Sequence, residues 1–273
     1  RSACASISIG GSDEGEVILM KRCLALFLCS VQLFFASATM AAPGKKLVAT
    51  LPPLYSMLLA VNEGSGNRVE LLLPEGADPH HFSLKPSQVE MLAQADTVYY
   101  VSRATEVFLR SQIEQHPQKY VALFDDGKSS KYLTAHGWLS PYRMLAVVKK
   151  LDAKNSPAYA KKLQEKTLQW QAALKFLSSR RFMADTHAMD AFAEAFDLQP
   201  VILNKKTLSQ PQAAQQKCVV VTHGDNPLAD KFAKATGAHL VHVDLLGRKL
   251  AEGTEHYFQL MDALVRDISE CLT

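Results

Sequence analysis

Little is concentrated in this sequence, and each scarcity removes a class of answer. No apolar run reaches the roughly 18–20 residues that a membrane span needs. The best candidate, 23–35, is a 13-residue run interrupted by Ser30 and Gln32. No block of lysine and arginine exists, and the formal net charge is only +3, which argues against a nucleic-acid partner. The five cysteines, Cys4, Cys23, Cys29, Cys218 and Cys271, include no CxxC pair, so thiolate metal sites are disfavoured. No HExxH motif is present, and no Gly/Ser-rich linker divides the chain. With 48% apolar and 21% charged residues, the composition is that of a folded globular protein rather than a disordered one.

The start of the chain separates from the rest. Residues 1–19 contain no methionine and read as a polar segment upstream of the natural start at Met20. From there Lys21 and Arg22 precede the apolar run, and small residues at Ala36-Ser37-Ala38 and Thr39-Met40-Ala41 offer cleavage sites. Residues 20–41 therefore read as a cleaved secretory signal peptide. A lipid anchor at Cys29 is disfavoured because Leu28 stands where a small residue is expected. Cleavage leaves two cysteines in an oxidising compartment, and a Cys218–Cys271 disulfide is expected, with two buried free thiols as the alternative. Such a bridge is worth roughly 4 kcal/mol on the chain-entropy account.

The mature part alternates strand and helix signals in two sets. Apolar runs at 46–50, 69–73, 97–101 and 120–124 suit strands of a parallel sheet buried on both faces. A second set lies at 182–184, 201–203, 218–221 and 239–243. Helical patterns intervene at 87–95, 188–196, 226–236 and 254–268, the first with Ser87 as its cap candidate. A long helix is expected over 156–177, capped by Ser156 with Pro157 in its first turn. Its apolar face steps through Leu163, Thr167, Trp170, Leu174 and Leu177. The fold class is then α/β: two lobes, 42–155 and 179–273, each with a small mainly parallel sheet flanked by helices, joined by a helix over 156–178. A helical connector implies small hinge motion.

Nine histidines are the chemical resource, and four strand exits carry the interesting ones. His80 and His81 follow the strand at 69–73, and His136 lies beyond the polar loop after 120–124. Trp138 beside it reads as a packing anchor. His187 follows the strand at 182–184, and His242-Val243-Asp244 ends the last strand. Ligands of open α/β sheets gather at such carboxyl ends. Three imidazoles with a carboxylate or water suit tetrahedral Zn²⁺ and match Mg²⁺ or Ca²⁺ poorly. Manganese would want more carboxylate, while copper and nickel also accept imidazole.

At these residues the chain resembles a known family, the metal-binding receptors of zinc and manganese ABC importers, and most closely the zinc-uptake type. The resemblance runs from about residue 47 to 271. It is carried by Gly76-Ala77-Asp78-Pro79-His80 with Lys85-Pro86-Ser87-Gln88-Val89, by His136-Gly137-Trp138-Leu139-Ser140-Pro141, by His187-Ala188-Met189-Asp190-Ala191-Phe192, and by Asp244-Leu245-Leu246-Gly247. The histidines stand 56 and 51 residues apart. The resemblance implies a metal in an interlobe cleft held by His80, His136 and His187, with Asp244 the least secure ligand because Leu245 replaces a usual proline. It implies Zn²⁺ as transported cargo, an inner-membrane ABC-type zinc permease as partner, a monomer in the periplasm, no catalysis, and a disulfide like Cys218–Cys271. Histidine rather than glutamate at position 187 is the zinc-type choice.

There are departures. The loop 125–131 has none of the histidines that many zinc-type relatives carry there, and Pro79 stands where some have glutamate. His223 stands where an acidic residue is common, and it either faces the cleft or lines it; His81 competes with His80. His116, His239 and His256 read as surface or packing residues. The alternatives are a manganese receptor of the same type, an adhesin or metal store, and a secreted zinc hydrolase, the last lacking both HExxH and a glutamate beside a ligand histidine.

Overall fold

The computed structural model describes residues 44–273, apart from Glu75, Asp126 and Gln212. The signal peptide expected over 20–41, and Cys4, Cys23 and Cys29, lie outside the described residues.

The first half runs β1 (Lys46–Ala49), α1 (Pro52–Asn62), β2 (Arg68–Leu71), α2 (Pro86–Gln94), β3 (Thr97–Tyr100), α3 (Arg110–Gln115) and β4 (Tyr120–Ala122). Three helices follow, α4 (Lys131–Ala135), α5 (Pro141–Lys150) and the long α6 (Ser156–Leu174). The second half runs β5 (Arg181–Ala184), α7 (Asp190–Ala195), β6 (Gln199–Ile202), α8 (Lys205–Leu208), β7 (Cys218–Val221), α9 (Pro227–Thr236), β8 (His239–His242) and α10 (His256–Leu272).

Each half builds a four-stranded, wholly parallel sheet, and the two have the same order: β2-β1-β3-β4 and β6-β5-β7-β8. The two-lobed α/β architecture is therefore as the alternation of signals predicts. In each sheet the chain leaves the first strand to one side and then crosses to the other. That places a topological switch point between β1 and β3, and another between β5 and β7, where ligands of open sheets bind. Central strands are the most apolar and buried; β7 is Cys-Val-Val-Val with every residue buried, whereas edge strands β2 and β8 keep exposed ends.

The expected long helix forms, and its five stripe residues are all buried. Its ends differ from expectation. Asn155, not Ser156, is the cap residue, and after Leu174 the last turn tightens to a 3-10 turn over Lys175–Leu177. Ser87 likewise lies inside α2, which begins at Pro86; Gln88 satisfies that end by accepting from the Lys85 N–H at 2.9 Å. A cap at Ser87 or Ser156 would have started these helices at 88 and 157; they start two residues and one residue earlier, with Pro86 first in α2 and Pro157 second in α6. No helix of the described residues is long and apolar enough to cross a membrane.

The lobes are bound by a shared core. Trp138, 1% exposed, donates from its indole to Leu245 O at 2.8 Å, and the Tyr257 hydroxyl donates to Trp138 O at 2.9 Å. Ser56 Oγ donates to Thr254 O and accepts from Tyr257 N–H, both at 3.1 Å. Asp262 on α10 accepts from Trp170 of α6 at 2.7 Å and pairs with Lys166 at 2.8 Å. The buried bonds among these, made by Trp138 and Tyr257, specify one arrangement of the lobes and resist its change. Cys218 and Cys271 are joined by a disulfide that ties β7 to α10.

Candidate metal centre

Five histidines converge on one cavity of about 680 Å³ between the lobes: His80, His81, His136, His187 and His223. Asp78, Tyr132 and Asp185 line it as well. His116, His239 and His256 do not. His116 and His239 are exposed, and His256 is buried with its ring nitrogens facing Leu246 O and Ala251 O.

The first lobe contributes an imidazole pair. His80 sits in the turn after β2, which Asp78 organises: one carboxylate oxygen accepts the His80 N–H at 2.9 Å and the other meets His81 Nδ1 at 2.8 Å. Burial alone would raise Asp78, but the bonds from His81 and the His80 N–H, with both imidazole charges, hold it below the ordinary carboxylate value. His136 follows α4 and precedes a 3-10 turn over Gly137–Leu139. Gly137 is required there, because a Cβ would come within 2.4 Å of the Phe124 ring. The close approach leaves His136 half-buried, its Nδ1 out of reach of solvent and its ring centroid 5.4 Å from that of His80 and 5.2 Å from that of Trp138.

The electrostatics of this pair favour neutral imidazole. Burial, reinforced by the charges of His80 and His223 and opposed by Asp78, pushes His136 down to about 3. His80 is also lowered, first by burial, with Asp78 opposing and His223 and His81 reinforcing. His136 Nδ1 is buried and has no hydrogen-bond partner. A buried polar nitrogen left without a partner is costly, and a neutral ring offers a lone pair that suits Zn²⁺.

The second lobe contributes imidazoles that are held at one nitrogen, His187 half-buried and His223 exposed. His187 opens the 3-10 turn after β5, where Thr186 caps the turn by accepting from Ala188 N–H at 3.2 Å. Its Nδ1 donates to Asp190 Oδ2 at 2.9 Å, which leaves Nε2 to carry the lone pair. Its ring stacks on Tyr132 of α4 in the other lobe, with centroids 4.0 Å apart and planes 21° from parallel. His223 follows β7 and is held at Nδ1 by Thr222 Oγ1 at 2.8 Å.

Asp244 is placed differently. Its carboxylate accepts the N–H groups of Leu246 and Gly247, each at 3.1 Å, and of Arg248 at 2.5 Å. It thus ties down its own loop, and it is not among the residues lining the cavity. Among the described residues, no three His, Cys, Asp or Glu side chains are already gathered at metal-holding distance. The structure brings His80 and His136 close together and puts His187 and His223 across the cavity from them.

Four neighbours of the site gave little or no signal in the sequence. Tyr132 carries a faint signal, lying four residues before His136 and so about one helical turn away. Asp185 and Thr222 sit beside strand exits but reveal a role only through their mutual bonds. Glu106 gives no signal at all: it is wholly buried, and accepts from Thr50 Oγ1 at 2.7 Å, Val101 N–H at 2.9 Å and Ser102 N–H at 3.1 Å. It bridges the switch point of the first sheet, and burial outweighs these bonds to push its carboxyl up to about 7. Its neighbour Thr105 donates to Ala135 O at 2.7 Å, directly before His136.

Comparison with known proteins decides the family. The family model described as the periplasmic component A of zinc-uptake complexes matches residues 47–271. The chain belongs to this family. The high-affinity zinc uptake system protein ZnuA of Haemophilus ducreyi is 24% identical over 289 aligned positions, covering 83% of this chain and 93% of that protein. A crystal structure of ZnuA matches with a TM-score of 0.68 at 18% identity, covering 84% of this chain and all of the other. The Mn²⁺ complex of FpvC from Pseudomonas aeruginosa matches with a TM-score of 0.72 at 18% identity, covering 84% of this chain and 98% of the other. These two likenesses speak for the fold shared within and around the family.

Proposed function

We propose that this chain is a periplasmic zinc receptor that binds one Zn²⁺ between lobes 42–155 and 179–273, joined by the helix over 156–178, and delivers it to an ABC-type zinc permease. The observation that carries the reading is His136, a half-buried imidazole whose buried Nδ1 has no hydrogen-bond partner, beside His80 and lining a cavity with three more histidines. His80 and His136 would hold the ion from one lobe and His187 from the other. The names of zinc-uptake relatives support the same cargo. The imidazole-rich lining favours zinc over manganese. A role in binding rather than hydrolysis is supported by the neighbouring carboxylates, since Asp78, Asp185 and Asp190 each already bond to adjoining side chains. Secretion through the segment 20–41 and release as a soluble monomer complete the proposal.

Titration of the metal-free chain with Zn²⁺ and Mn²⁺, followed by calorimetry, tests it. One Zn²⁺ per chain is expected, retained against an equal free concentration of Mn²⁺. Displacement by Mn²⁺ would exclude zinc as the preferred cargo, and an absence of binding would remove the receptor function.

A further inference from the structure

The fourth donor of the cargo site can be assigned from hydrogen-bond arithmetic, on the footing that the chain is a zinc receptor. The two candidates are Asp244 and His223. Asp244 has its two oxygens engaged by three backbone N–H groups of 246–248 and lies outside the cavity lining. Recruiting it would strip a loop of bonds that hold it. Leu246 of that loop also accepts from His256 at 2.8 Å, so the disturbance would pass to the start of α10.

His223 is in the opposite condition. It lines the cavity together with His80, His136 and His187. The Thr222 hydroxyl has one proton, and it donates that proton to Asp185 Oδ1 at 2.9 Å. Thr222 Oγ1 must therefore accept in its 2.8 Å contact with His223, so Nδ1 carries the imidazole hydrogen. Nε2 is left with the lone pair. Asp185 is itself anchored, because its other oxygen accepts the Thr222 N–H at 2.9 Å. The chain carboxylate–hydroxyl–imidazole fixes tautomer and ring orientation as the outer partners of metal-binding histidines do. Asp190 does the same for His187 directly. The two residues leave adjacent strands, β5 and β7, and so flank the switch point of the second sheet.

We propose that His223 Nε2 is the fourth ligand of the cargo ion, making an all-imidazole shell with His80 and His136 from one lobe and His187 and His223 from the other. Asp244 then serves as the anchor of its own loop. A shell of four neutral nitrogens has no carboxylate to offer a hard ion, so it discriminates against Mn²⁺ more sharply than one with three imidazoles and a carboxylate.

The test compares the full chain with His223→Ala, His223→Asp, Asp244→Ala and His136→Ala, using Zn²⁺ affinity and the visible spectrum of the Co²⁺ form. Expected for His223→Ala is a loss of Zn²⁺ affinity of tenfold or more, with a weakened and shifted Co²⁺ band and an unchanged apo circular dichroism spectrum. His223→Asp should recover most of the Zn²⁺ affinity and raise Mn²⁺ affinity relative to Zn²⁺. Asp244→Ala should lower the apo melting temperature and leave the Co²⁺ band as it is. If His223→Ala keeps both affinity and spectrum while His136→Ala loses them, the receptor reading stands and His223 is no ligand. If the unaltered chain binds no Zn²⁺, both fall together.

Discussion

The two lobes share one strand order and use it in opposite ways. In the first, the carboxylate at the switch point, Glu106, is sealed inside the lobe, and Nδ1 of His136 is buried without a partner. In the second, the switch-point carboxylate Asp185 reaches outward through Thr222 to His223, and His187 is held by Asp190 at the cavity wall. One lobe thus provides an imidazole with a buried, unpartnered Nδ1, and the other provides imidazoles whose Nδ1 is bonded. Desolvation keeps protons from competing with the metal, whereas orientation fixes which nitrogen faces it.

The largest effect expected is on stability, and it tests whether the second lobe depends on its covalent tie. Replacing Cys218 and Cys271 with alanine should cost roughly 4 kcal/mol, measured as a fall in the urea midpoint. A midpoint unmoved by the double replacement would make the disulfide irrelevant to that lobe. The buried carboxylate of the first lobe should show itself as a pH slope. Glu106 is raised to about 7 in the folded chain. The folded state therefore holds the proton more tightly than the unfolded one. Its contribution is complete below the ordinary glutamate value and is lost as pH rises through about 7. The slope amounts to about 3 kcal/mol between the two values, and Glu106→Gln should remove it. Identical unfolding profiles for both proteins from pH 4.5 to 7.5 would refute this account of Glu106.

Metal affinity sharpens the contrast further. His136→Ala should weaken Zn²⁺ binding by about a hundredfold or more and His187→Ala by less, since outer-partner losses alone reach about tenfold to a hundredfold. Equal losses would mean that burial adds nothing to the first lobe's ligand. The smallest effect belongs to Tyr132. Tyr132→Ala removes the ring stacked on His187, and should speed Zn²⁺ association by a few-fold with little change at equilibrium. Stopped-flow mixing with a fluorescent zinc indicator reads that rate, and a slower association would show that the stack guides the histidine rather than restrains it.

Much of this was legible from particular residues. The apolar runs ending at 50, 73, 101 and 221 gave parallel strands because only doubly covered strands are apolar on both faces. The stripe from Leu163 to Leu177 marked a buried helix, and two cysteines far apart in sequence met as a disulfide. The start of α6 was displaced by a residue: Asn155 takes the cap position without a side-chain cap bond, and Pro157 falls second in the helix. His80, His136 and His187 could be singled out because strand exits are where loops from distant parts of the chain converge. Tyr132 and Thr222 could not, because their roles are contacts made across the cleft or between neighbouring strands.

By itself the sequence determined the alternation of strands and helices, the two halves and the supply of imidazoles, since periodicity and local chemistry are properties of a chain segment. Only the tertiary structure decided which nitrogens are free. Nδ1 of His136 is buried without a partner, His223 and His187 gained theirs from Thr222 and Asp190, and Asp244 turned to its own backbone. Those outcomes depend on which groups meet across folded elements, and one-dimensional spacing does not encode which of two nitrogens a neighbour will claim.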